Sequence, residues 1–224
     1  LAGALIAHGV KPGDRVCIFG MTRLEWAIAD QAILAAGGIT VGIYASNTVE
    51  ECKYIFSDCG AKLAIVDHDE PEKGAPGRLS RLLKLKAELP QLEQIVTMDA
   101  AAARDGAVTM DAWEKEGAEW LKANSGKLDE ICNSIKSDDL ACLVYTSGTT
   151  GSPKGVELMH WSFVYESEVL GQLDLMRPDD TMLLFLPMAH VFAKVIEVAW
   201  LQMGFVMAIA ESIDRLVDNM AEVR

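Results

Sequence analysis

The stretch Leu140 to Gly155, LACLVYTSGTTGSPKG, sets an apolar segment directly before a loop of glycines and hydroxyls that ends in lysine. Leu140 to Val144 reads as a strand and Tyr145 to Gly155 as the loop that follows it. Gly148, Gly151 and Gly155 let the main chain turn sharply and approach an anion closely, so that backbone N–H groups point inward. The hydroxyls of Thr146, Ser147, Thr149 and Thr150 are further donors, and Lys154 adds a mobile positive charge. A protein grips polyphosphate in this order. The Walker spacing, GxxxxGK followed by Ser or Thr, does not fit, because Pro153 precedes the lysine and Gly155 follows it. A solvent-exposed linker is the plain alternative, and residue chemistry alone favours the phosphate reading over it.

Upstream of the loop, short β-rich runs alternate with helical patterns: Val16 to Phe19, Leu24 to Ala36, Ile39 to Ile43, Val49 to Phe56 and Leu63 to Val66. That alternation is the βαβ signature, and it predicts a layered α/β fold. Thr22 with Glu25, and Asn47 with Glu50, have the spacing of helix capping boxes, and Gly37-Gly38 ends the first long helix. Arg78 to Leu89 reads as an amphipathic helix stopped at Pro90, with a strand at Gln94 to Thr97. Ala100 to Ser137, rich in alanine, glycine and charge, predicts irregular helical excursions on the surface that carry Trp113 and Trp120. Beyond the loop come a helix near Trp161 to Leu173, a strand at Thr181 to Phe185, a helix at Phe192 to Gln202 and a strand at Phe205 to Ile209.

Composition bounds the reading. Of 224 residues 50% are hydrophobic and 24% charged, as in an ordinary globular protein. A net charge of -13 with no basic run argues against nucleic acid as a partner, so any anion pocket must be local. The five cysteines, Cys17, Cys52, Cys59, Cys132 and Cys142, are odd in number, lack a CxxC pair and sit mostly in apolar segments. They read as reduced core residues and point to the cytoplasm. The longest apolar run, Ala199 to Ala210, is interrupted by Gln202 and Gly204 and is too short to span a bilayer. Peripheral contact with the cytosolic membrane face stays open, and oligomeric state is not legible.

At YTSGTTGSPKG the chain resembles the adenylate-forming superfamily of acyl-CoA synthetases, luciferases and peptide-synthetase adenylation domains. LPMAHVF at Leu186 to Phe192 is similar to a second element of that family, and GDRVCIFG followed by EWAIADQAILAAGGITVGIY resembles the start of the same domain. YASNTVEECKYIFSDCGAKLAIVD and RLLKLKAELPQLEQIV are most similar to long-chain fatty acid CoA ligases. The family's later aromatic-Gly-x-Thr-Glu element, ribose-binding aspartate, hinge and C-terminal lysine have no counterpart before Arg224, and both ends read as cut.

The resemblance therefore implies the N-terminal part of the large domain of an adenylate-forming enzyme. Residues 1–137 would form a first α/β subdomain with the excursion at 100–137, and 138–224 the phosphate loop and the start of the acyl-pocket region. The C-terminal domain would be absent and this piece inactive alone. The parent would join a fatty acid to coenzyme A using ATP and Mg2+. The resemblance places Thr146, Ser147, Gly148, Thr149, Thr150, Gly151 and Lys154 on the β- and γ-phosphates, Thr146 beside the metal and Lys154 behind the departing pyrophosphate. A ligase for an aromatic or amino acid, or a non-catalytic nucleotide-binding scaffold, are the other readings.

Taken alone, His190 reads as a hydrogen-bonded core histidine, since one histidine without an Asp or Cys partner specifies nothing. Its place in LPMAHVF implies that it borders the acyl pocket and orients the carboxylate or its adenylate. Met188-Ala189 depart from the usual family spelling, and Lys194 puts a charge on an otherwise apolar helix. Met188, Phe192, Val195, Ile196 and Met203 would either line an acyl channel or simply fill the core. His8, His68 and His160 read as surface or capping residues, Asp138-Asp139 as a solvated strand start, and no residue set has the spacing of a structural metal site.

Overall fold

A computed structural model describes residues 1–71, 76–146, 152–173 and 175–223. The order of elements is α1 Ala2–Ala7, β1 Arg15–Gly20, α2 Leu24–Ala35, β2 Ile39–Tyr44, α3 Val49–Cys59, β3 Leu63–Val66, α4 Arg78–Lys86 and β4 Gln94–Thr97. After a short 3-10 turn at Ala100–Ala102 follow β5 Val108–Thr109, α5 Met110–Ala123, α6 Lys127–Ser134, β6 Leu140–Thr146 and β7 Lys154–Met159. The described chain closes with α7 His160–Gln172, β8 Thr181–Leu184, α8 Val191–Met203, β9 Val206–Ile209 and α9 Leu216–Glu222.

Among the described residues seven strands form one sheet in the order β5-β4-β3-β1-β2-β6-β7, parallel throughout except for β7, which runs antiparallel to β6. Parallel neighbours need a crossover, and α2, α3 and α4 supply those from β1 to β2, β2 to β3 and β3 to β4. Side chains alternate across a strand, so each strand feeds two cores. Val16, Ile18, Leu63 and Ile65 pack with α1, α2, α5 and α8 on one face, while Cys17, Phe19, Ala64 and Val66 pack with α3 and α4 on the other. The α/β expectation holds, with helices covering both faces as parallel strands require. β8 and β9 pair separately, and Leu184 of β8 and Phe205, just before β9, reach the first core.

Several local expectations are corrected. Thr22 does not cap α2: its hydroxyl donates to the Leu186 carbonyl at 2.9 Å and accepts from the Met188 amide at 3.0 Å, while Arg23 stands at the N-cap and pairs with Glu25. A distant backbone has taken the oxygen that a cap would use. The second capping box lies one residue later than expected, on Thr48 and Glu51, because Thr48 is the last extended residue before α3.

Ala100 to Ser137 is largely regular helix, not irregular excursion, and β5 joins the sheet edge. Trp113 is buried there, its ring stacked on His8 at 4.5 Å, with the Glu116 carboxylate 2.9 Å from the histidine. The loop reading of Lys154 and Gly155 also fails, since both belong to β7. In α9 the apolar Val217 and Met220 are exposed while Asn219 is buried.

Candidate active site

β6 and β7 carry the described part of the phosphate-loop motif. Thr146, the last residue of β6, is the register partner of Lys154, the first residue of β7. Opposite residues of an antiparallel pair share a face, so hydroxyl and ammonium stand side by side at the carboxyl edge of the sheet. Both are exposed, and Lys154 has no ion-pair partner among the described residues. Ser147, Gly148, Thr149, Thr150 and Gly151 lie outside the described residues.

Thr146 and Pro153 open onto a cleft of about 560 Å³ whose opposite wall is the start of α3 and the turn before it, with Ser46, Asn47, Thr48 and Glu51. Its lining carries the hydroxyls of Tyr44, Ser46, Thr48, Tyr145 and Thr146, the Asn47 amide and the Glu51 carboxylate. Ligands of open parallel sheets lie outside the carboxyl ends of the strands, and this cleft sits at those of β2 and β6.

His190 stands at the N-cap of α8, where its Nδ1 accepts from the Phe192 amide at 3.1 Å. That leaves Nε2, the N–H of the neutral ring, as its remaining polar atom. The approach of this segment to the sheet depends on Gly42, where a Cβ would fall 2.8 Å from the Ala189 Cα. Gly42 lines both the phosphate-side cleft and a small cavity walled by Ala189, His190 and Lys194, so the two motif regions meet at the end of β2.

Lys194 is buried between α8 and α2 in direct contact with Asp30 and 3.8 Å from Glu197, which accepts from Gln31 at 3.0 Å. Burial pulls the lysine down to about 8, against the pull of Glu197, and pushes the Glu197 carboxyl up. The Cys142 thiol, close by, is pushed up to about 12 by burial and by that carboxylate. Cys17, Cys52 and Cys59 are buried as well, Cys132 is exposed, and all five thiols are free.

Of the residues offered as an acyl channel, Phe192 and Val195 face an apolar cavity of about 540 Å³ shared with Leu158, Trp161, Phe163 and Tyr165. Met188 and Ile196 point the other way, into the first core, and Met203 packs against it. Asp139 accepts from the Lys136 amide at 2.8 Å and Asp138 from the Ser137 hydroxyl at 3.0 Å. His160 opens α7, where burial lowers its pKa, and His68 touches the buried Asp67 and Arg78 pair. Thr22, Asp30 and Gly42 were missed in the sequence because their partners lie some 150 residues or more along the chain.

The model of the AMP-binding enzyme family matches residues 1–223. The chain belongs to that family. Its relatives include the long-chain-fatty-acid–CoA ligase FadD15 of Mycobacterium bovis, 32% identical over 219 residues, which are 97% of this chain and 34% of that protein. The long-chain-fatty-acid–CoA ligase ACSBG2 of Xenopus laevis is 30% identical over 208 residues, 91% of this chain and 27% of that protein. The chain thus spans about a third of the length of these curated relatives. Among solved structures, the inhibitor-bound N-terminal domain of FACL13 from Mycobacterium tuberculosis aligns with a TM-score of 0.74 at 24% identity, covering 99% of this chain and 50% of that one. The anthranilate CoA ligase AuaEII in complex with anthranoyl-AMP aligns at 0.76 and 22% identity, over 98% of this chain and 39% of that one. Both share the fold. Enzymes of the AMP-binding family use ATP. Among the described residues no helix is long and apolar enough to cross a membrane.

Proposed function

We propose that this chain is the phosphate-gripping portion of a long-chain fatty acid CoA ligase. The parent reaction has two steps. A carboxylate oxygen attacks the α-phosphorus of ATP, releasing pyrophosphate and forming an acyl-adenylate. The coenzyme A sulfur then attacks the acyl carbon and AMP leaves with the bridging oxygen. The observation that carries this reading is the pairing of Thr146 with Lys154 at the edge of a polar cleft, in a chain whose family match runs its whole length. The reading is further supported by relatives that bear the name of long-chain ligases.

In this account Lys154 holds the pyrophosphate as negative charge gathers on it, a preorganised charge aimed at the leaving group. The hydroxyls of Thr146, Ser46 and Thr48 bind the phosphate chain. Mg2+, which neutralises phosphate charge and aligns the reacting groups when bound, fits Thr146, because magnesium takes few protein oxygens and completes its shell with phosphate and water. His190, with Nδ1 already engaged, offers its Nε2–H to the carboxylate. Phe192 and Val195 would meet the acyl chain in the apolar cavity, and Met188, Ile196 and Met203 would serve the core.

ATP–pyrophosphate exchange by the full-length protein that carries this chain tests the reading, with carboxylates of graded length as substrates. Exchange should rise with chain length into the long-chain range. Exchange only with aromatic or amino acids would move the substrate class, and none at all would favour the scaffold.

A further inference from the structure

The Tyr145 side chain joins three parts of the cleft. Its hydroxyl donates to Asp58 Oδ2 at 2.5 Å, across 87 residues of sequence. Its ring lies over its register partner on β7, since a Cβ added to Gly155 would sit 3.1 Å from the ring and 3.3 Å from the hydroxyl oxygen. The residue is only 6% exposed and also lines the cleft beside Thr146. Asp58 follows Glu51 and Ile55 at helical spacings of seven and three, so it shares the face of α3 that forms the far wall. One phenol therefore holds the strand pair bracketing residues 147–151 against the helix across from it.

We infer that Tyr145, through Asp58, is a positioning residue that sets the width of the polar cleft and hence its grip on the nucleotide phosphates. A buried tyrosine that merely filled the core would need only some partner for its hydroxyl. Here the partner is the opposite wall of the site. The inference rests on the ligase reading above. Both walls stay folded without the bond, because β6 pairs with β2 and β7, and α3 keeps its capping box and its core contacts. Losing the bond should let the walls drift apart and weaken ATP binding while the reacting groups, once bound, keep their chemistry.

The test is steady-state adenylation by the full-length protein carrying Tyr145→Phe, Asp58→Ala, Asp58→Asn or the first two together. Tyr145→Phe should raise KM for ATP about fivefold to tenfold, the size of one lost hydrogen bond, with kcat and fatty acid KM close to wild type. Asp58→Ala should match it, the double variant should be no worse than either single one, and Asp58→Asn, which keeps an acceptor, should recover most of the affinity. An unchanged ATP KM in Tyr145→Phe overturns the inference. So does a parallel loss of kcat, both KM values and melting temperature, which is the mark of a purely structural tyrosine. If the wild-type protein itself fails to exchange pyrophosphate, the ligase reading falls and takes this one with it. Active wild type with an indifferent Tyr145→Phe sinks the tether alone.

Discussion

Between the ends of β1 and β3 the chain supplies both charges of an ion pair itself, whereas beside the cleft at the ends of β2 and β6 Lys154 has no ion-pair partner among the described residues. Asp67, directly after β3, is fully buried and takes a two-pronged contact from the equally buried Arg78, with 2.7 Å from Nε to Oδ1 and 2.8 Å from NH2 to Oδ2. The same carboxylate accepts the amides of Met21 at 2.8 Å and His68 at 2.8 Å. The first crevice is a switch point, since α2 leaves β1 on one face and α4 leaves β3 on the other. Open α/β sheets commonly bind ligands at such a place. In this chain arginine fills it, and the polar cleft lies two strands further on, with Thr146 in its lining and Lys154 exposed beside Thr146. A charge satisfied from within holds the fold; a charge left exposed beside a cleft is available to a ligand.

The largest expected effect sharpens that contrast on its structural side. Arg78→Ala strands a buried carboxylate and should cost roughly 3–5 kcal/mol of stability, read by denaturant unfolding. A change below about 1 kcal/mol, the scale of an exposed pair, would erase the distinction between the two crevices.

Glu197 tests the intermediate case, a buried cluster with two carboxylates, Asp30 and Glu197, around one ammonium, Lys194. Gln31 and Cys142 are further polar groups beside it. Its folded pKa is raised, chiefly by burial, so the folded state holds its proton longer than the unfolded chain does. The stability it contributes is present below the unfolded value and lost as pH rises through the folded one, about 1.4 kcal/mol for each unit of displacement. Unfolding measured across that window should slope downward with pH in the wild type and more weakly in Glu197→Gln. Parallel profiles would show that Glu197 does not titrate alone in this cluster.

The smallest expected effect lies on the wall of the open cleft. Thr48→Ala removes half of the capping box of α3 and should cost about 1 kcal/mol, with the fold otherwise intact. A loss as large as that of Arg78→Ala would mean that the cleft wall, too, is held by a few critical contacts.

What could be read in advance follows the same divide. Strands β1 to β4 announced themselves because period-two and period-3.6 patterns report burial, which is local to each segment. β7 did not, since KGVELM is an edge strand with mostly exposed side chains and little alternation. α5 was hidden by Gly117, which weakens a helix in isolation but lets α1 approach closely: a Cβ there would fall 2.5 Å from the Ala4 amide nitrogen. The phosphate motif was legible because backbone and hydroxyl donors must sit close together in sequence. The supports of His190 were not, as Thr22, Gly42 and Lys194 with Asp30 act across the fold, and a hydroxyl three residues before a glutamate reads as a cap until its distant partner is seen.

The central claim is that Lys154 serves the leaving group and not the fold, and Lys154→Ala in the full-length protein tests it most directly. Its side chain is exposed, and its place in β7 is held by backbone pairing that alanine retains. Adenylation at saturating ATP should slow about a hundredfold, the scale of removing one preorganised donor from an active site, with the melting temperature nearly unchanged. A variant that adenylates at the wild-type rate, or one that unfolds, would contradict the account.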